Sequence, residues 1–165
     1  MSEPRRRQVA VSGGAVDPPA EVLSAAEEVG RRLAEAGFSL VCGGLGGVME
    51  AAARGAAEAN GEVIGIVPGD DPAEANPYCT QVVATGIGHA RNLAVVASGD
   101  AVIAIGGEWG TLSEIAFARR LGRPVVALQT WAVRGIGPMA EAPGIVVADD
   151  AAAAVNAVEG ALEAR

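Results

Sequence analysis

The apolar positions of this chain fall into two alternating regimes. Short β-branched or aliphatic runs occur at Gln8–Ser12, Ser39–Cys42, Val63–Val67, Val82–Ala84, Ala101–Ile105, Val125–Leu128 and Ile145–Val147. Each is bounded by glycine, proline or polar residues, the signature of a strand. Between them apolar residues recur at helical spacing. Val22, Ala26, Val29 and Leu33 lie on one face of a helix over Pro19–Ala36, and the same reasoning predicts helices over Gly47–Asn60, Ile87–Ser98, Thr111–Leu121 and Asp149–Ala164. Pro18-Pro19 opens the first helix, and Gly37 and Gly61 follow the ends of the first two, as start and stop signals should. Runs such as Ala101-Val102-Ile103-Ala104-Ile105 are apolar at every position, as expected of strands covered by helices on both sides. The alternation predicts an α/β fold, a doubly wound, Rossmann-like parallel sheet of about seven strands with helices on both faces. Pro68–Tyr78 reads as a polar surface loop. With no linker or fixed-period repeat, residues 1–165 read as one domain with a flexible tail at 1–7.

Composition narrows the chemistry. A chain of 165 residues can bury a real core, and with half its residues apolar but only 3% aromatic, Ala, Val, Ile and Leu must fill it. The 23 glycines therefore signal tight turns rather than disorder. A net charge of −8 argues against nucleic acid and anionic membranes as partners, since both require a basic footprint. The only basic run, Arg5-Arg6-Arg7, sits near the beginning of the chain. No apolar run is long enough to span a bilayer, and Val9-Ala10-Val11 is too short for a signal-peptide core, so a cytoplasmic location is expected. Cys42 and Cys79 form no CxxC pattern and read as reduced thiols. All 12 basic residues are arginines. The absence of lysine excludes Schiff-base chemistry on a side chain and a Walker A loop. His89 is the only histidine, which argues against a His-rich metal site or a serine triad; no metal site is expected.

Three strands end in glycine-rich turns: Ser12-Gly13-Gly14, Gly43-Gly44-Leu45-Gly46-Gly47, and Gly106-Gly107-Glu108-Trp109-Gly110-Thr111. In a parallel sheet the carboxyl ends of the strands share one edge, where ligands bind. Each turn leads into a helix whose first N–H groups and dipole favour an anion. A phosphate-bearing ligand is therefore expected at Ser12, Gly13, Gly43, Gly44, Gly46, Gly47, Gly107, Gly110 and Thr111. No GxGxxG is present in the longer turns and no acidic residue ends the second strand, which argues against a dinucleotide. Thr111 and Glu114 are spaced as a capping box, a purely structural device; a catalytic or ligand-binding Glu114 is the alternative. Arg91, in Thr85-Gly86-Ile87-Gly88-His89-Ala90-Arg91-Asn92, reads on its own as a surface or interface residue rather than a ligand clamp, with the clamp as the alternative.

The segments GGEWGTLSE, TGIGHARN and VCGGLGGVMEAAARGA, together with VIGIVP, resemble the LOG ("lonely guy") superfamily, once labelled lysine decarboxylases, from Val9 to about Ala148. The context of ARN and GTLSE looks most like a small bacterial branch that also resembles molybdenum-cofactor carrier proteins. The decarboxylase label needs pyridoxal chemistry, which a chain without lysine refuses. The resemblance instead implies hydrolysis of the N-glycosidic bond of a nucleoside 5′-monophosphate such as AMP, with no cofactor required and with dimers or larger homo-oligomers as the assembly. The family signature PGGxGTxxE places its catalytic glutamate at Glu114 and its phosphate-binding positions at Gly107, Gly110 and Thr111; the catalytic arginine matches Arg91. The chain departs from the pattern at Gly106 for proline, Glu108 for glycine and Asn92 for the lysine after the arginine. These departures keep open a second implied role, a non-catalytic carrier of molybdenum cofactor or a related phosphorylated ligand.

Overall fold

The computed structural model describes residues 5–135 and 144–165. All seven expected strands form one sheet: β1 (Gln8–Gly13), β2 (Ser39–Cys42), β3 (Val63–Val67), β4 (Gln81–Ala84), β5 (Ala101–Ile105), β6 (Val125–Leu128) and β7 (Ile145–Ala148). Their order is β4-β3-β2-β1-β5-β6-β7, and every neighbouring pair is parallel. The helices are α1 (Ala20–Glu35), α2 (Val48–Glu58), α3 (Arg91–Ser98), α4 (Trp109–Arg120) and α5 (Ala151–Glu163). This is the doubly wound, Rossmann-like α/β architecture read from the sequence.

Alternation along the buried strands decides which helix layer each residue meets. Val9 and Val11 of β1 and Ile103 and Ile105 of β5 join the core under α1, α2 and α5. Ala10, Val102 and Ala104, one residue out of phase, join a second core under α3 and α4. The runs are apolar throughout because both faces are covered. In the first layer α1 and α2 cross with almost no space between backbones: a Cβ at Gly30 would overlap the Ala52 carbonyl, and one at Gly55 the Glu27 carbonyl. Alanine-rich α2 needs this contact, since its short side chains bury apolar surface only when the neighbouring helix comes close.

The winding places the candidate site. The chain builds β1 through β4 outward in one direction, then returns through α3 to lay β5 on the other side of β1. The β1/β5 junction is thus the switch point, where the two halves of the sheet diverge and leave a crevice. Gly13 pairs with Ile105 in that register, so the turns after β1 and β5 emerge side by side. The helix expected over Ile87–Ser98 is divided: a short 3-10 turn, Gly88–Ala90, precedes α3. Gly88 has φ +59, which an α-helix cannot include. Of the stretch read as a tail, residues 5–7 are exposed, and Arg5 pairs with Asp100 at 2.6 Å. Met1–Pro4 lie outside the described residues.

Candidate functional site

The glycine turns meet at the carboxyl edge of the sheet, but they do different work. Gly13 lies so close to Val48 and the Ile105 carbonyl that a Cβ would overlap both; it lets β1 pass under α2 and against β5. The carbonyl of Gly14 receives the first N–H of α2, from Val48, at 2.9 Å. The turn after β2 is fastened from the other side by Asn76, whose N–H donates to the Gly44 carbonyl at 2.8 Å and whose Nδ2 donates to the Leu45 carbonyl at 3.0 Å. After β5, Gly107 has φ +88, and a Cβ there would overlap the Thr111 hydroxyl. A side chain at this position is excluded twice, by conformation and by space.

Between these turns lies a cleft of about 240 Å³. Ser12, Gly13, Gly43, Arg91, Gly110, Thr111 and Glu114 line it, so seven of the expected site residues come together from β1, α3, α4 and the turn after β2. Gly44, Gly46, Gly47 and Gly107 do not line it; they shape the turns behind it. Larger grooves exist elsewhere, including one of about 480 Å³ beside Arg5–Arg7 and Glu159, but the buried ionisable pair belongs to the smaller cleft.

Glu114 and Arg91 are the core of that cleft. Each is buried, 6% and 7% exposed, a rare state for a charged side chain. The Ser12 hydroxyl donates a hydrogen bond to Glu114 Oε2. Burial pushes the Glu114 carboxyl up to about 7, against the lowering influence of the Ser12 hydrogen bond and of Arg91. The Arg91 guanidinium lies against Gly43, where a Cβ would overlap Nη1, and its Nε is buried without a hydrogen-bond partner. Burial pulls Arg91 below the ordinary guanidinium value, while Glu114 and Cys42 oppose that shift. A buried donor left unpaired costs about 1–3 kcal/mol. Arg91 lines the cleft together with Gly110 and Thr111 at the start of α4, where unpaired backbone N–H groups and the helix dipole favour an anion.

The capping box expected from Thr111 and Glu114 is not formed. The N-cap of α4 is Glu108, without a side-chain cap bond, which puts Thr111 inside the first turn and Glu114 beyond reach of the cap. Glu114 takes its partner from β1 instead. Glu108 is exposed but lines the mouth of the cleft. Asn92, which replaces the family lysine, is buried; its Nδ2 donates to Ser113 Oγ at 3.5 Å. Sequence reasoning assigned no role to His89, Met49 or Val16, all of which border the cleft. For His89 a signal existed, two residues before Arg91 in the same motif. Cys42 and Cys79 are free thiols; Cys79 and burial together hold the Cys42 thiol well above its ordinary value. Among the described residues no cluster of three His, Cys, Asp or Glu side chains could hold a metal, and no helix is long and apolar enough to cross a membrane.

Comparison with known proteins follows the same outline. The family model described as the SLOG cluster4 family matches residues 6–155. The molybdenum cofactor binding protein of the phototrophic bacterium Rippkaea orientalis superposes with a TM-score of 0.86 at 29% identity, over 96% of this chain and 98% of that one. The molybdenum cofactor carrier protein of Chlamydomonas reinhardtii gives a TM-score of 0.82 at 33% identity, over 96% and 99%. An uncharacterized protein of Archaeoglobus fulgidus is 44% identical over 116 residues, 70% of this chain and 76% of its own length.

Proposed function

The chain belongs to the SLOG cluster4 family, and from that premise we propose that it hydrolyses the N-glycosidic bond of a nucleoside 5′-monophosphate, releasing the base and ribose 5-phosphate. The observation that carries the reading is the buried pair at the switch point, Glu114 with its carboxyl pushed up to about 7 opposite Arg91 with an unpaired Nε. The phosphate sits against Arg91 and the first N–H groups of α4, which fixes the ribose over Glu114. A carboxyl titrating near neutrality is suited to general-base work. Glu114 takes a proton from water as the water oxygen bonds to the anomeric carbon, the bond to the base nitrogen breaks, and the departing base takes up that proton, which returns Glu114 to its ionised form. The ionised form also stabilises the positive charge that develops on the sugar, as in glycoside hydrolysis. Ser12 holds Glu114 in one orientation throughout.

A second reading has its own support. The two similar structures above are named for binding or carrying molybdenum cofactor, and this chain carries Asn92 and Glu108 where the hydrolase pattern has a lysine and a glycine. As a carrier it would grip such a cargo by its phosphate, at Arg91 and the glycine turns, since the described residues offer no metal-ligand cluster. In either role the partner is a small phosphorylated molecule. Of the residues expected to bind it, Ser12, Gly13, Gly43, Gly110 and Thr111 meet it in the cleft, Gly44, Gly46, Gly47 and Gly107 shape the turns behind them, and the protein acts as a homo-oligomer.

Incubation with AMP, GMP and CMP followed by chromatographic detection of free base separates the two. Base release that Glu114→Ala abolishes supports the hydrolase. Absence of turnover combined with a co-purifying fluorescent pterin supports the carrier and overturns the hydrolase.

A further inference from the structure

The chain contains two tryptophans, and the fold packs them against each other beside the turn that borders the cleft. Trp109 is the first residue of α4 and is 74% exposed, although Glu108 and Gly110 on either side of it line the cleft. Trp131, beyond β6, packs against it with ring centroids 5.1 Å apart and planes inclined by 39°. The contact is held in place. The Trp131 indole N–H donates to the Glu108 carbonyl at 3.0 Å, the Thr130 hydroxyl donates to the Gly106 carbonyl, and the Gly106 N–H donates to the Leu128 carbonyl at 3.2 Å. Gln129 adopts φ +52, a left-handed conformation uncommon for a residue with a side chain, and so turns the strap back onto the glycine turn.

We infer that Trp109, backed by Trp131, is a stacking platform for the flat heteroaromatic ring of the ligand whose phosphate enters the cleft. The inference rests on the phosphorylated ligand proposed above. The cleft, at about 240 Å³, is smaller than the roughly 300 Å³ at which ligand sites begin; a phosphate and sugar fill it and the ring must overhang. On the far side of the turn a second groove of about 360 Å³ is floored by Val22, Gly106, Gly107 and Trp131. Trp109, exposed between two residues that line the cleft, offers the overhanging ring its apolar surface. Trp109 packs on an indole that is itself pinned by its N–H, so it has fewer rotamers left to lose on stacking. Every purine, pyrimidine or pterin has a π-face, so the platform selects for an aromatic ring without choosing among them.

Because both tryptophans lie in the platform, intrinsic fluorescence reads it directly. Titration with AMP and with ribose 5-phosphate is followed in parallel by fluorescence and by calorimetry, on the parent and on Trp109→Leu. AMP quenches the parent saturably, while ribose 5-phosphate binds with little quenching. Trp109→Leu weakens AMP binding roughly ten- to hundred-fold and leaves ribose 5-phosphate affinity unchanged. AMP binding without quenching, and with undiminished affinity in Trp109→Leu, overturns the platform and leaves the phosphate cleft standing. So does dissociation of an oligomer in Trp109→Leu at unchanged AMP affinity, which would make the pair a surface between copies. No binding of either ligand by calorimetry overturns the phosphate cleft, and the platform with it.

Discussion

Replacing Glu114 by glutamine isolates the electrostatic cost of the site. The Glu114 carboxyl is held at about 7 against an ordinary value of 4.5, so the folded chain binds this proton more tightly than the unfolded one. The stabilisation from that proton is fully present below about pH 4.5 and is lost as pH rises through about 7. At 1.36 kcal/mol per pKa unit, roughly 3 kcal/mol is lost across the window. Glutamine has the same shape, stays neutral at every pH and still accepts the Ser12 hydrogen bond. The test is urea and thermal unfolding of both proteins, without ligand, at pH 5 and pH 8.5. Near pH 5 the two should differ by less than about 1 kcal/mol, the ordinary scale of an isosteric change. At pH 8.5 Glu114→Gln should be more stable by roughly 2–3 kcal/mol, or about 4–12 °C in melting temperature for a chain of this size. All other titrating groups are shared, so the difference between the proteins reports Glu114 alone. A stability difference that stays constant from pH 5 to 8.5 refutes the raised carboxyl and the general-base role built on it.

Other substitutions probe the remaining parts of the site. Ser12→Ala removes the hydrogen bond that lowers the Glu114 pKa, so it should move the pH-dependent step upward, visible as a displaced pH profile of AMP binding or turnover. Arg91→Met should keep the fold by circular dichroism while abolishing the rise in melting temperature produced by AMP or ribose 5-phosphate. Asn92→Lys adds a positive charge beside the cleft and should tighten ribose 5-phosphate binding roughly 3- to 10-fold at low ionic strength, with the gain shrinking in salt. Gly107→Ala places a methyl on the Thr111 hydroxyl at φ +88 and should cost about 2 kcal/mol or more in urea unfolding. Gly160→Ala, in α5 with open space around it, should stabilise by about 0.5–1 kcal/mol.

The fold was legible because its signals are local. Each strand is a compact apolar run between breakers, and the structure differs from the expected limits only by a residue at Gly13, Gln81 or Ala148. The helices follow from spacing and from flanking glycine and proline. Errors arose where a distant partner outranked a local pattern. Thr111-Leu112-Ser113-Glu114 satisfies the capping-box spacing, yet Glu114 belongs to Ser12, 102 residues away. No window on the sequence contains both. The split of Ile87–Ser98 had a local sign in Gly86 and Gly88, but only the backbone shows Gly88 left-handed. Arg91 stood out only through its motif, and its burial came from the structure; the partnership of Trp131 with the glycine turn left no mark in spacing at all.

The Ser12–Glu114 hydrogen bond also has a bearing on time. It joins β1 to a helix synthesised about a hundred residues after it, Ser12 and Glu114 being 102 residues apart. Between these events the chain must complete β2 through β4 and cross back through α3 before β5 can close on β1. Contacts of such long range incur loop-closure entropy before they return any stability, and they place this sheet among the slower folders. On the function proposed above, a fragment ending before α4 lacks Glu114 and the first N–H groups of that helix and cannot hold the ligand, however much of the sheet it has built. On that proposal, ligand stabilises only a chain that has reached α4, by mass action. A pulse of AMP or ribose 5-phosphate during refolding would report the moment at which the two halves of the sheet meet.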